Sequence, residues 1–523
     1  MLYKSREKGG FLMKKRVKWI KSVSWCLILV MLAAALAACT TAEFEQLKKL
    51  EEQLRASASL GETTGAPSVE TEISSETPTY IVCPGPGGEH KDSYFDNYEF
   101  VILAWEEGKA SYWSDKDNDM VVEEALYRKN EIVAERLGVK LVWDFKPGGG
   151  NKYIPFANNA QSLSLSGNPY DAILCYGMNA YYLAAYGNLA NLADTNYINL
   201  TARWWSEALI DQTMINGRIY SLVEDNDIGL LRNMTAVFFN NDVLEKQGFE
   251  SPYELVKQDV WTVDKLSEMI KDTYVDLNAN GSADAEDLFG FANASNTQAD
   301  AWFYALGYKE AEVRGGEVIS LLGEQGIFDY VEKMTSFYHD TKDAFWSDSE
   351  RNKMFLENRV YFYTATVQSS EKFCFDTNGE LNYGVVPMPK LNTEQSQYYT
   401  YVGNSYNAWC IPGTAPDMDC SSAVLECMAF ESYRVVGPVY FDTNLKLRYA
   451  PDERLAEMYD IIRAGIVFDV GRAYTQLRGG FAPQDTIRKI VKNPSKNAWY
   501  VAHLNYKDVW QESFDLIITT YTK

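Results

Sequence analysis

Short apolar runs alternate with amphipathic stretches through most of this chain. Glu99–Trp105 (EFVILAW) is apolar and β-branched enough for a buried strand. Asp119–Leu137 follows with Val122, Leu126, Ile132 and Val133 at helical spacing, and Gly138 stops it. Val139–Asp144 is the next strand, so the chain opens with a strand–helix–strand unit of a parallel α/β layer. Tyr153–Leu165 predicts a helix, Asn168-Pro169-Tyr170 a turn, and Asp171–Tyr176 a third strand. Thr201–Ile210, with Trp204-Trp205, predicts a packing helix, and Gly217–Tyr220 a turn entering a strand.

The pattern is densest from Ile215 to Phe291. Val237–Asn240 is a buried-type strand, and Asn240-Asn241-Asp242 offers cap chemistry for a helix Val243–Gln247 that Gly248 ends. Trp261-Thr262 leads into a second helix, Val263–Lys271, and an acidic loop, Asp276–Asp287, follows. Further on, the pattern predicts helices over Phe328–His339 and Ala423–Tyr433. It predicts a strand over Tyr401–Ile411 with a bend at Gly403, and a mostly helical segment from Pro438 onward.

Gly-x-Ile-Tyr at 217–220, Val-Phe-Phe-Asn-Asn-Asp-Val-Leu…Gly at 237–248, Trp-Thr before a helix, and Asp-x-Asn-x-Asn-Gly before Phe-Gly occur in that order. Tyr-Asp-apolar…Gly-x-Leu-x-x-Leu at 170–192 and NYGVVPMP at 382–389 accompany them. Together they resemble the extracellular solute-binding proteins of ABC importers, the sugar-binding branch above all, over about Tyr94–Tyr459.

The resemblance implies an α/β, two-lobed, periplasmic-binding-protein-like fold of type II. Each lobe would be a mixed, mainly parallel sheet flanked by helices, with a cleft between. Lobe 1 would comprise 94–224 plus 388–436, and lobe 2 225–387 plus 437–523. In such sheets ligands bind beyond the carboxyl ends of the strands. That places Trp105 and Glu106 after the first strand and Tyr176, Met178 and Asn179 after the third. The resemblance adds Glu224, Asp225 and Asp227 in the first crossing between lobes, and Trp302 in Asp300–Tyr304 (DAWFY) as an aromatic that stacks on a sugar ring. Tyr363, Asn404, Ser405 and Tyr406 complete the expected cleft. Asn358 stands where the family commonly has Gly.

Charge narrows the class of partner. The formal net charge is −23, and without residues 1–38 the chain has 41 basic and 71 acidic residues, a net near −30. Such a field disfavours nucleic acid. Eight Cys and three His show no CxxC pair and no zinc spacing. Cys420 and Cys427 can share a helical face, where either a disulfide or free thiols would fit, and buried free thiols are the preferred reading. The 35 Tyr and 13 Trp supply rings that could stack on sugar faces.

The N-terminus predicts the compartment. Lys14-Lys15-Arg16-Val17-Lys18 is a basic n-region, Trp25–Leu36 an apolar h-region, and Leu36-Ala37-Ala38-Cys39 resembles a lipobox. The expectation is a lipoprotein signal over 1–38, cleaved to leave a lipidated Cys39. A Ser/Thr/Glu-rich tether over 39–93 would hold the protein on the outer face of the cell membrane. Translation could begin at Met1 or Met13.

In the acidic loop, Asp276, Asn278, Asn280, the Ser282 carbonyl, Asp284 and Asp287 have the oxygen spacing of a calcium loop, with Gly281 at the turn. Asp287 replaces the bidentate Glu, so calcium is one expectation and a plain acidic turn the other. The functional expectation is a lipid-anchored, monomeric receptor, not an enzyme, delivering a small polar solute such as a mono- or oligosaccharide to an ABC permease. The alternatives are a secreted glycoside hydrolase, which needs paired carboxylates such as Glu106 with Asp225, and a carbohydrate-binding surface lipoprotein.

Overall fold

The computed structural model describes residues 94–522 except 116–119, 168–169, 294–296, 348, 378–380, 450–452, 476 and 478–481. All described residues belong to one compact unit, Thr77–Lys523. The expected signal over 1–38, the expected tether over 39–93, Cys39 and both candidate starts lie outside the described residues.

The chain begins β1 (Tyr98–Trp105), α1 (Val121–Leu137), β2 (Val139–Lys146), α2 (Tyr153–Leu165), β3 (Ala172–Tyr176), α3 (Gly177–Ala185) and α4 (Glu207–Thr213). The expected strand–helix–strand opening is present, with β1 parallel to both β2 and β3. Gly138, at φ 60°, closes α1: its N–H donates to the Ala134 and Glu135 carbonyls, a left-handed cap that costs glycine nothing.

The Trp204-Trp205 segment departs from expectation. It forms turns, and α4 starts only at Glu207. Both indole N–H groups donate to the buried Glu426 carboxylate, at 3.0 and 2.9 Å, and Trp205 bridges Glu224. Satisfying those two donors fixes the backbone outside the helix. Gly217–Tyr220 likewise gives a turn, with Gly217 at φ 73°, and isolated bridges in place of a sheet strand.

A short helix, α5 (Ile228–Arg232), carries the chain to the second sheet. There follow β4 (Thr235–Asn240), α6 (Asn241–Gln247), α7 (Pro252–Lys257), α8 (Val263–Ile270), β5 (Phe289–Asn293) and α9 (Thr297–Ala305). A hairpin of β6 (Ala311–Arg314) and β7 (Glu317–Ser320) leads to α10 (Gln325–His339), β8 (Ala344–Trp346), α11 (Arg351–Leu356), β9 (Val360–Thr366), α12 (Gln368–Asp376) and β10 (Tyr383–Pro387). The capping expected from sequence is there. Asn240 Oδ1 accepts from Val243 N, Thr262 Oγ1 from Lys265 N, and Gly248 sits at φ 71°. β4 is buried at every position, as a central strand flanked on both faces should be.

β11 (Thr400–Tyr401) and β12 (Asn407–Cys410) lead to α13 (Met418–Glu431), which continues into π-helical turns over Ser432–Val436 and Pro438–Arg448. The chain ends in α14 (Glu453–Ala464), β13 (Ile466–Val467), α15 (Val470–Ala473), α16 (Pro483–Lys492) and α17 (Ala498–Thr522). The first sheet has the order β12-β3-β1-β2, with β12 antiparallel to β3. The second has the order β10-β4-β9-β5-β8. There β4 runs antiparallel to both neighbours, so the second sheet is evenly mixed rather than mainly parallel.

Three groups fasten the crossings. Arg232 on α5 forms a two-point pair with Glu371, Nε–Oε1 2.9 Å and Nη2–Oε2 3.2 Å, while Tyr440 donates to the same carboxylate at 2.6 Å. Arg463 reaches Asp225 at 2.6 Å and Asn226 Oδ1 at 2.8 Å. Gly437 packs on Asn226 so closely that a Cβ there would lie 2.5 Å from the side-chain amide. The end of α17 lies against the first lobe. Tyr220 donates to the Thr520 carbonyl at 3.2 Å, and Tyr521 packs edge-on to Tyr220 at 5.1 Å.

Glu426 gives a stability prediction. Burial pushes its carboxyl up to about 7 from an ordinary 4.5, against the opposing pull of the two indoles and the Asn199 amide. The folded state then keeps its proton over a window in which the unfolded chain has lost it. This group's contribution is greatest below pH 4.5 and is lost as pH rises through 7, about 3 kcal/mol across the window. Glu426→Gln retains an acceptor and cannot ionise. Urea unfolding of the wild type should show stability falling from pH 5 to pH 8, and the variant should flatten that slope.

Candidate functional site

The carboxyl ends of β1 and β3 meet β12 and the loop before it. Trp105, last in β1, is buried and donates from Nε1 to Asn407 Oδ1 at 2.8 Å. Its ring lies among three glycines. A Cβ at Gly108 would fall 2.2 Å from the ring, one at Gly149 3.0 Å from it, and one at Gly148 2.8 Å from the Trp105 Cβ. Glu107 holds that glycine loop by accepting from Gly148 N and Gly149 N, both at 2.7 Å. Glu106 is exposed beside it.

Asn407 relays the contact to the first crossing. Its backbone N donates to Asp227 Oδ2 at 3.0 Å, and its Nδ2 donates to Asp227 Oδ1 at 2.5 Å and to Ser111 Oγ at 2.7 Å. Asp227 also caps α5 by accepting from Leu230 N at 2.7 Å. Burial pushes its carboxyl up to about 6, although Asn407 and Leu230 pull the other way. Glu224 is buried too: it accepts from Trp409 Nε1 at 2.9 Å and pairs with the buried Lys129 at 3.6 Å. Of the three carboxylates in this crossing, only Asp225 is appreciably exposed, and Arg463 holds it. Glu224 and Asp227 thus form the frame beneath the strand ends, with their oxygens committed to protein donors.

Tyr176, at the end of β3, is half-buried. Its ring stacks on Tyr153 at 5.9 Å and meets Trp105 edge-on at 5.5 Å. Burial raises the affinity of its hydroxyl for its proton, while Arg472, Ser405 and Asn404 beside it act in the opposite sense. Met178 and Asn179 are buried in the first turn of α3. Tyr406 lies over Gly177, where a Cβ would sit 2.4 Å from the tyrosine ring. The ring meets Phe468 of the second lobe edge-on at 5.5 Å. Gly177→Ala should therefore cost about 1–3 kcal/mol through overpacking against a buried ring. A fall in melting temperature relieved by the double variant with Tyr406→Leu would check this contact.

The second lobe contributes groups that sequence reasoning missed. Arg472 on α15 donates to Asp300 at 3.2 Å, and Arg488 makes a two-point pair with the same carboxylate, both contacts 2.9 Å. Tyr304 stacks on Tyr401 at 4.7 Å and 11°. Asp300 and Tyr304 are four apart on α9, hence on one face. Trp302 faces the other way. It is fully buried, with Phe291 and Phe337 on its ring at 5.7 and 5.4 Å, and so has no free face for stacking. The DAWFY segment reaches the lobe boundary through its polar first residue and its last tyrosine. Tyr363 is also fully buried, packed between Phe238 and Phe355 in the second core. A signal for Arg472 was not available in sequence: no motif surrounds it, and its neighbours come from residues 176, 300–304 and 401.

The Asp276–Asp287 loop is stitched to itself. Asp276 accepts from Gly281 N at 2.9 Å, Asn280 donates to Asp284 at 2.6 Å, and the buried Asp287 accepts from Leu277 N and Tyr274. Asn278 and Asn280 turn their oxygens to the amides of Asn280 and Ser282. Among the described residues no three His, Cys, Asp or Glu side chains are grouped to hold a metal ion. Cys175, Cys410, Cys420 and Cys427 are buried thiols, and no helix among the described residues is long and apolar enough to cross a membrane.

No protein-family profile matches the chain, and no curated protein sequence matches it. Solved structures do. The GacH receptor of Streptomyces glaucescens, solved unliganded and with acarbose, is 13% identical with a TM-score of 0.51 over 79% of this chain and 99% of that one. M. tuberculosis UspC is 16% identical with a TM-score of 0.52 over 79% and 100%. A cyclo/maltodextrin-binding protein complexed with maltotetraose is 11% identical with a TM-score of 0.51 over 82% and 98%. At these identities the likeness is one of architecture. The chain has the α/β, two-lobed, periplasmic-binding-protein-like fold of these structures.

Proposed function

We propose that this protein is a solute receptor that captures a small polar molecule, a carbohydrate, between its lobes and delivers it to an ABC-type permease. The observation that carries the reading is the meeting of two half-sites. Tyr176, Asn404 and Ser405 come from the strand ends of the first sheet, Tyr304 and Arg472 come from α9 and α15, and Tyr401 of β11 lies between them. A ligand bridging such halves binds the closed form better than the open one, which is all that signalling by closure requires. The group is rich in aromatic faces and hydroxyls, which suit a pyranose with its apolar C–H face and polar edge. Structural neighbours solved with acarbose and with maltotetraose support the same class. The protein acts as a monomer without covalent chemistry.

Lipid on Cys39 holds the receptor on the extracellular face in this proposal. Cys39→Ser should release it to the medium, and persistence in the membrane fraction would count against the anchor. The central test is a thermal-shift screen of the purified protein against neutral mono- and oligosaccharides, with incubation products examined. A solute at about 100 times its dissociation constant should stabilise the folded state by about 2.7 kcal/mol. Stabilisation by one sugar class without turnover supports a receptor. Turnover would favour a glycoside hydrolase instead.

A further inference from the structure

We infer that Arg472 is the specificity group of this site, and that with Tyr304 and Tyr401 it selects an uncharged, polyhydroxylated ligand over an acidic one. The inference deepens the receptor reading above and rests on it. Asp300 is fully buried and receives both arginines, so it fixes the Arg472 guanidinium by one end. The Nε of Arg472 is out of contact with solvent and has no hydrogen-bond partner. The Tyr304 hydroxyl, on a ring that is 2% exposed, is in the same condition. Tyr401 lies against the guanidinium, and Tyr176 at the end of β3 adjoins both. Unpartnered polar atoms are rare in buried positions, and here two share one neighbourhood, with the Tyr401 hydroxyl beside them.

Charge decides what they can take. Glu310 acts on the same arginine, Asp469 and Glu310 both act on Tyr304 beside it, and both carboxylates are buried. Glu310 is so close to Gly471, next to Arg472, that a Cβ there would lie 2.6 Å from its own Cβ. Among the described residues this cluster therefore sets two guanidiniums against three carboxylates. No excess positive charge is left to hold an anion, and a carboxylate ligand would be buried beside like charges. What remains is one fixed N–H donor and two hydroxyls that either donate or accept. That set matches the hydroxyl and ring oxygens of a neutral sugar.

The test uses calorimetry on the purified protein with matched pairs, each neutral sugar against its uronic acid: glucose with glucuronic acid, galactose with galacturonic acid, and their short oligomers. The neutral member should bind at least about tenfold more tightly than its uronate. Arg472→Gln should weaken the neutral sugar by about tenfold to 100-fold, the loss of a hydrogen bond from a charged donor. Tyr401→Phe keeps the ring stack and the fold, and should weaken it by about tenfold, with melting temperature unchanged. A uronate that binds as tightly as its neutral partner overturns the charge selection. A sugar that binds both variants as it binds the wild type overturns the site while leaving the receptor reading intact. Silence from every sugar overturns both.

Discussion

Asp227→Ala should lower the stability of this protein by about 3–5 kcal/mol, the largest loss we expect from a single polar substitution. The carboxylate accepts from Asn407 N, Asn407 Nδ2 and Leu230 N, all in the interior. Alanine leaves those donors unpaired and removes the cap of α5, itself worth about 1 kcal/mol. The damage should spread, because Asn407 also accepts from Trp105 and donates to Ser111. Asp227→Asn keeps one acceptor oxygen and should cost less. It also removes a group whose folded pKa is raised to about 6, so the variant should lose less stability than the wild type as pH climbs from 4 to 6. Urea unfolding followed by tryptophan fluorescence would measure both.

Tyr521→Ala should cost about 3–5 kcal/mol and loosen the contact between lobes. Tyr521 is 1% exposed near the end of α17, hydrogen-bonded through its hydroxyl to Tyr474 at 2.8 Å. The pair faces the first lobe: Tyr521 meets Tyr220 at 5.1 Å, and Tyr474 meets Tyr181 at 5.1 Å. Removing the ring takes contacts from the closed arrangement that an open one does not share in full. The variant should show a larger radius of gyration without ligand and weaker solute binding, since part of the binding free energy then goes to closure. Tyr521→Phe keeps the ring and should lose only about 1 kcal/mol. An alanine variant that is destabilised but scatters and binds like the wild type would confine this contact to packing.

The strand–helix–strand opening and the helix caps were legible because they follow from local rules. Gly138 and Gly248 end helices in the left-handed region, and Asn240 and Thr262 begin them, as their side chains dictate. Tyr176 could be placed at a strand end, and the nearness of Asn404 and Ser405 to it was an implication of the resemblance. The phase of α9 was not. Nothing local tells whether Asp300 and Tyr304 or Trp302 face the lobe boundary, and the second core claims the tryptophan for Phe291 and Phe337. Trp105 was readable as a strand-end aromatic. Its burial was not, because the glycines around it at 148 and 149 are more than forty residues distant. Glu224 has the composition of an exposed hinge acid, yet Lys129 and Trp409 from distant elements draw it into the interior. Arg472 owes its setting to segments spread over 300 residues, beyond the reach of any local pattern.

The central claim is that a polar solute closes the two lobes on each other. Small-angle scattering of the purified protein, with and without the sugar found in the thermal-shift screen, tests it most directly. The account predicts a smaller radius of gyration with the sugar, and no such change for Arg472→Gln at the same concentration. A sugar that binds tightly while leaving the scattering of the wild type unchanged would contradict it.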